Sequence, residues 1–320
     1  KADIDFLLKQ SDNNIIDILP TGCITKGCLQ QEITEMYDMH KNGAIAFTDD
    51  KKTIQNAMLM NIALEYVKNF NSLIMTSCLD KNLNQFGQIN ESKISTQMGL
   101  SPSPEIAENL LVLRDLAILK YSESKLHIST ISTEESVNNI KKAKKEKLQV
   151  STDVAAHQIM LTEEMFTEFN TDLKVMPPLR SEKTRQILIN GIIDGTIDAI
   201  SSDHTPIDIE GKKCEFEKAK FGIIGLETVF PIINTILKEK IELSRIIDLI
   251  SRNPRNILGL KTPKVEENEY ANMTLFNPTE KWTYQKSDIA SLSKNTPFIG
   301  CDFIGRPIGV INNSKIQINS

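Results

Sequence analysis

The strongest chemical signal in the chain is Asp203-His204, which follows the apolar run 197–201 directly in the stretch SSDHTP. A carboxylate and an imidazole at the carboxyl end of a buried strand stand where a metal ligand or general base would be found. The same residues would also suit an Asx-type turn that caps the next segment. Asp49-Asp50 closes another apolar run and reads either as a turn before Lys51-Lys52 or as a carboxylate ligand. His127 and His157 each stand alone on or just after a strand, where a satisfied core histidine is the ordinary outcome. Ser201 and Ser202 fit strand-end hydrogen bonding better than an anion site. The chain has only four histidines and contains no HxH or HExxH. Hydrolytic zinc sites use three or more protein ligands rich in His, so these residues alone do not assemble a binuclear zinc centre. Cys23 and Cys28 have no second Cys or His pair at ligand spacing, so no zinc site is expected there either.

These residues need a scaffold, and alternation supplies one. Apolar, β-branched runs at 15–19, 44–48, 73–76, 126–129, 148–154 and 197–201 read as strands. Helix-period segments lie between and after them, at 54–69, 104–121, 134–146, 163–169, 183–193, 226–238 and 244–252. Alternation of this kind means βαβ crossovers and a mainly parallel sheet. The runs make six βα units, where a closed (β/α)8 barrel needs eight. No glycine-rich phosphate loop follows a strand, which disfavours a nucleotide-binding sheet. The chain opens inside an apparent helix at 4–9, so an incomplete barrel with its first strands upstream, in a longer native chain, is expected. Residues 1–263 form that barrel in this reading. Residues 264–320 change to alternating strands, with Asn312-Asn313 as a turn, and form a small β-module.

Composition agrees with a globular protein. The chain has 320 residues, 40% hydrophobic and 25% charged, enough for a full core. Its net charge of −5 argues against a nucleic-acid surface. No apolar stretch approaches the roughly 18–20 residues of a membrane span, and no signal-peptide core is present. The five cysteines are scattered and odd in number, which suits reduced thiols in a cytoplasmic protein. The basic run 141–147 (KKAKKEK) reads as a solvated helix end.

Several segments, in order, resemble dihydroorotases. Residues 198–206 (DAISSDHTP), Glu215-Phe216 and 221–228 (FGIIGLET) are similar to the family signature, and 174–180 (KVMPPLR) to its PPLR loop. Residues 21–27 (TGCITKG), 43–50 (GAIAFTDD), 253–260 (NPRNILGL) and 295–298 (NTPF) match further family segments. The resemblance runs from about residue 14 to 312. It implies an α/β fold, a (β/α)8 TIM-type amidohydrolase barrel with a small β-sandwich module. The implied reaction interconverts carbamoyl-aspartate and dihydroorotate in pyrimidine synthesis, with zinc-bound hydroxide as nucleophile.

The family's active residues transfer only in part. The HxH ligands of the first barrel strand would precede Lys1. The bridging carboxylate maps to Asp50, or to Asp49. The histidine of an HCED-like motif maps to Ser77, and the second histidine of an HxxHxST motif maps to Thr130. Asp203 matches the metal-binding, proton-shuttling aspartate. The substrate-binding Asn before the PPLR loop maps to Met176, and a substrate-contacting His maps to Ile207. Hydroxyls are poor zinc ligands beside imidazole, and apolar replacements leave polar substrate groups unpaired. The expectation is a degenerate, catalytically impaired relative with a structural role, in which zinc is absent or weakly bound and only Asp50 and Asp203 remain as vestigial ligands. By analogy with inactive scaffolding homologues, its partners would be aspartate transcarbamoylase or an active dihydroorotase, in addition to a second copy of itself. The alternative is an active zinc-dependent dihydroorotase, or a related cyclic-amide hydrolase, that uses upstream ligands.

Overall fold

The computed structural model describes residues 2–11 and 14–319. Helix α1 (Ala2–Ser11) leads to α2 (Met36–Lys41) and α3 (Ala57–Lys68). Strand β1 (Ile74–Ser77) follows, then β2 (Ile89–Asn90), α4 (Lys93–Met98), β3 (Pro102–Ser103) and α5 (Ile106–Ser122). The βα alternation continues through β4 (Leu126–Ser129), α6 (Glu134–Lys145), β5 (Val150–Ala155), α7 (Glu182–Ile193) and β6 (Ala199–Ser201). Four short helices come next, α8 (Ile209–Lys212), α9 (Val229–Leu237), α10 (Leu243–Ile247) and α11 (Asn253–Ile257). The chain closes with β7 (Met273–Thr283), β8 (Asp302–Asn312) and β9 (Lys315–Ile318).

Strands β1, β4, β5 and β6 form a parallel sheet in the order β1-β4-β5-β6. Two further segments extend it beyond β1. Phe47 N–H donates to the Leu73 carbonyl at 2.9 Å, and Met75 N–H donates back to the Phe47 carbonyl at 2.8 Å. Gly22 and Thr48 continue the ladder by bonding to Ala46 and Gly22 in turn. Gly22 is required there, since an added Cβ would lie 2.7 Å from the Phe47 ring. Alternate residues divide the sheet into two faces. Ile74, Leu126, Ile128, Val150 and Val154 are buried, and they join one core with Leu59, Met60, Leu64, Leu111, Val112, Leu116, Ile140, Leu188 and Ile192 from the helices. His127 and Asp153 lie on the other face, in contact with each other.

Local chemistry explains where the helices begin. The Asn56 side chain accepts the N–H groups of Met58 and Leu59 at the head of α3. Thr133 caps α6, which places Glu134 and Glu135 in the first turn and lysines in the last. Ser181 caps α7. The basic run 141–147 ends α6 as expected, although Lys141 and Lys144 also pair with Asp194 and Asp198 at 2.5 and 2.6 Å.

The β-module is a three-stranded antiparallel sheet, β7-β8-β9. It packs on α9, with the Phe230 and Phe276 ring centroids 4.8 Å apart and the Asn234 amide donating to the carbonyls of Pro278 and Ile304.

The structure corrects four expectations. Residues 15–19 form no strand. Their backbone is held by side chains, with the Asn312 amide donating to the Ile15 carbonyl at 3.0 Å and the Ile18 N–H donating to Ser11 Oγ at 2.9 Å. The ladder begins instead at Gly22. Segment 163–169 makes only a 3-10 turn, Glu163–Met165. The chain leaves helical geometry at Phe166, whose ψ is 76° and whose ring packs on Phe216 with centroids 5.8 Å apart. The stretch 244–252 contains a π-helical turn, Asp248–Arg252, between α10 and α11. The hairpin turn lies at Asn313-Ser314, one residue later than expected, because both of those residues take positive φ (50° and 58°) and Asn312 pairs with Lys315.

Candidate active site

The carboxyl ends of the parallel strands bring together Lys51, Ser77, Thr130, Met176 and Asp203. Asp203 follows β6 with φ 45°, and its side chain is only 10% exposed. The Lys51 ammonium lies 2.7 Å from its Oδ1 and 2.9 Å from its Oδ2, and it also donates to the Met176 carbonyl at 3.2 Å. Ser77 Oγ donates to the Asp50 carbonyl at 3.0 Å, which pins the loop that carries Lys51. Burial pushes the Asp203 carboxyl above its ordinary range. Lys51 pulls it down and the nearby Asp153 and Asp50 push it further up. Lys51, Ser77, Cys78, Leu79, Ser129, Thr130, Met176 and Pro177 line a partly open cleft of about 20 Å³. That is room for about one water molecule.

The paired aspartates behave differently. Asp49 is buried, and its Oδ1 accepts the N–H groups of Ile24 (2.8 Å) and Thr25 (3.0 Å) while its Oδ2 accepts the Thr25 hydroxyl. It organises a loop. Asp50 is exposed and takes φ 55°, with its N–H on Thr48 Oγ1.

His127 is a core histidine. Its Nδ1 meets Ser151 Oγ and its Nε2 meets Asp153 Oδ2, both at 2.8 Å. Asp153 also accepts from Ser201 Oγ at 2.7 Å and from Thr130 N–H at 3.2 Å. Thr130 is thus fixed through its backbone, in a left-handed conformation just past the end of β4. His157 is buried in a 3-10 turn after β5, and its Nε2 has no hydrogen-bond partner among the described residues. Burial, with a smaller contribution from Lys51, lowers its pKa to about 3. His204 Nδ1 accepts the N–H groups of Gly225 and Leu226. Ser202 Oγ accepts the His204 N–H, so both serines serve strand-end hydrogen bonding. Ile207 donates its N–H to Asn295 Oδ1 and offers no polar side-chain atom.

Arg180 of the PPLR-like loop points into the protein rather than into the site. It is fully buried, donates to Ser132 Oγ, Asn90 Oδ1 and the Ser103 carbonyl, and lies 3.8 Å from the Glu108 carboxylate. The arginine therefore ties β2 and β3 to the segment before α6.

This donor set does not fit zinc. Ser77 and Thr130 offer neutral hydroxyls, Met176 contributes a carbonyl, and Asp203 already faces an ammonium. A cation held 2.7 Å from a carboxylate competes with a metal for the same lone pairs. Reasoning from sequence missed Lys51 because a lysine after an acidic pair reads as a solvated turn residue. It also missed Asp153, an acidic residue inside an apolar strand. Its signal was a charge at a position where a parallel strand is normally apolar.

Comparison with known proteins agrees with the fold and the resemblance. A family model described as dihydro-orotase-like matches residues 3–136. A dihydroorotase of Caldicellulosiruptor saccharolyticus is 42% identical over 303 residues, which are 94% of this chain and 70% of the relative. A dihydroorotase of Syntrophus aciditrophicus is 36% identical over 98% of this chain and 74% of its own length. Among solved structures, the L-hydantoinase (dihydropyrimidinase) of Arthrobacter aurescens superposes with a TM-score of 0.84. That alignment covers 99% of this chain and 75% of the hydantoinase at 20% identity, and so reports on the fold alone. The α/β architecture is that of an amidohydrolase barrel, and the chain belongs to the dihydroorotase family.

Proposed function

We propose that this chain is a dihydroorotase-fold protein that has lost cyclic-amide hydrolysis and serves a structural role. The observation that supports this most directly is the Lys51 ammonium on Asp203, at the position where the resemblance implies a metal. Hydrolysis of a cyclic amide at neutral pH needs an activated water, which a metal supplies by lowering the water pKa from 15.7 to about 7. An ammonium offers no coordination position and cannot ionise a bound water in that way. Asp203, the proton shuttle implied by the resemblance, spends both of its oxygens on Lys51.

In this reading Asp50 and Asp203 are vestigial ligands, Ser77 and Thr130 stand at former histidine positions, and Met176 and Ile207 have lost substrate contacts. Zinc is absent from the barrel or weakly held. The protein would work in the cytoplasm, pair with a second copy, and hold an active dihydroorotase or aspartate transcarbamoylase. That choice of partner rests on family analogy. The test is turnover of carbamoyl-aspartate and of dihydroorotate by the full-length protein with zinc in excess. The reading expects no rate above buffer. Turnover that Asp203→Asn abolishes would establish an active hydrolase.

A further inference from the structure

A second group of ligand-type side chains lies away from Lys51 and Asp203. Cys23 Sγ and Cys28 Sγ are 3.5 Å apart. The two sulfurs and a carboxylate oxygen of Asp49 all lie within 4.8 Å of one another. We propose that Cys23, Cys28 and Asp49 bind one thiophilic divalent cation of the zinc class, with water completing the coordination.

The sulfur spacing is the main argument. Two metal–sulfur bonds of about 2.3 Å at a tetrahedral angle place their sulfurs about 3.8 Å apart. The observed 3.5 Å corresponds to an S–metal–S angle of about 100° for such bonds. It is much longer than the roughly 2.05 Å of a disulfide.

Local folding sets up this pair. Gly27 and Cys28 both take left-handed φ values, 60° and 54°, so the chain doubles back and returns Cys28 towards Cys23. The Cys28 N–H closes the turn on the Thr25 carbonyl at 3.0 Å. Asp49 arrives from the neighbouring segment because Gly22 and Phe47 are paired in the ladder. Its carboxylate is held on Oδ1 by the Ile24 and Thr25 N–H groups and on Oδ2 by the Thr25 hydroxyl, so its orientation is set before any metal arrives and a metal would share Oδ2 with that hydroxyl. Cys23 is exposed and Cys28 half-buried, which leaves an entry path and space for water. Burial, the Cys23 contact and the charge of Asp49 push the Cys28 thiol up to about 12, with Lys52 opposing. This describes a protonated thiol whose proton a metal must displace, not a ready nucleophile.

The test is titration of the reduced, full-length protein with Co²⁺. The proposal expects one equivalent, with thiolate-to-cobalt charge-transfer absorption and the intense visible bands of tetrahedral cobalt. Added Zn²⁺ should bleach both signals. Cys23→Ser/Cys28→Ser should abolish them, and Cys28→Ala alone should weaken binding by at least the roughly 10–100-fold that loss of a supporting partner costs. Asp203→Asn should leave them unchanged, which separates this site from the barrel residues. Circular dichroism of each variant checks that it has folded. Absence of charge transfer in the wild type would overturn the proposal, as would a signal that survives in the double variant. Isolation of the pair as a disulfide, two mass units lighter, that refuses metal after reduction would overturn it too.

Discussion

Replacing Lys51 with methionine keeps most of the side-chain length and removes the charge. Asp203 is then left 10% exposed, near Asp50 and Asp153, with no cation at hand. Two unit charges 2.7 Å apart attract by about 1.5 kcal/mol at the dielectric of water and about 6 kcal/mol at an effective dielectric of 20. The Lys51 side chain is 36% exposed, which pulls the value towards the lower figure. A loss of about 2 kcal/mol follows. Unfolding entropy of about 2.1 cal/mol/K per residue over the 320 residues gives about 0.67 kcal/mol/K, so Tm should fall by about 3 °C. The assay is thermal unfolding of wild type, Lys51→Met, Asp203→Asn and the double variant at pH 7. The double variant should recover most of the loss, because it removes the unpaired carboxylate along with the ammonium. A Lys51→Met protein as stable as wild type would refute the argument that Asp203 depends on this ammonium.

Other consequences can be checked in parallel. Lys51→Gly combined with Ser77→His and Thr130→His should give a protein that retains zinc through gel filtration; Cys23→Ser/Cys28→Ser serves as background, and metal analysis reads the outcome. His157 is held neutral in the fold, with a pKa of about 3 against an ordinary 6.5. Its lowered folded-state value means that the unfolded chain takes up the proton first, so stability is complete above pH 6.5 and declines as pH falls towards 3. At pH 5 the loss from this group is about 2 kcal/mol, and His157→Gln should flatten the curve in urea unfolding at pH 7 and pH 5. Arg180→Leu leaves the fully buried Glu108 carboxylate without its cation and should cost about 3–5 kcal/mol, or about 4–7 °C in Tm.

The parallel sheet was legible in the sequence because its strands are short β-branched runs separated by helix-period segments. Legibility failed where side chains from distant segments decide the backbone. Residues 15–19 carry a strand-like pattern, yet Asn312, almost 300 positions away, holds the Ile15 carbonyl. The run 163–169 has helical periodicity, but the chain turns out of helical geometry at Phe166, whose ring packs on Phe216, 50 positions on. The site was half readable. The resemblance to dihydroorotases, not residue type, singled out Ser77, Thr130, Met176 and Ile207 as candidate replacements. The position of Lys51 over Asp203 depends on a contact 152 residues apart in the chain, which no local pattern encodes. Cys23 and Cys28 looked isolated for the same reason, since Asp49 reaches them only through pairing of Gly22 with Phe47.

The proposed loss of hydrolysis requires that the cation at Asp203 be Lys51 and not a metal. The most direct measurement is a crystal structure of the full-length protein grown with excess zinc, with anomalous scattering collected at the zinc edge. No anomalous peak is expected within bonding distance of Asp203, with continuous density from the Lys51 ammonium to its carboxylate; a peak at Cys23 and Cys28 would not disturb that result. A zinc peak bonded to Asp203 and Asp50, with Lys51 turned away, would contradict it.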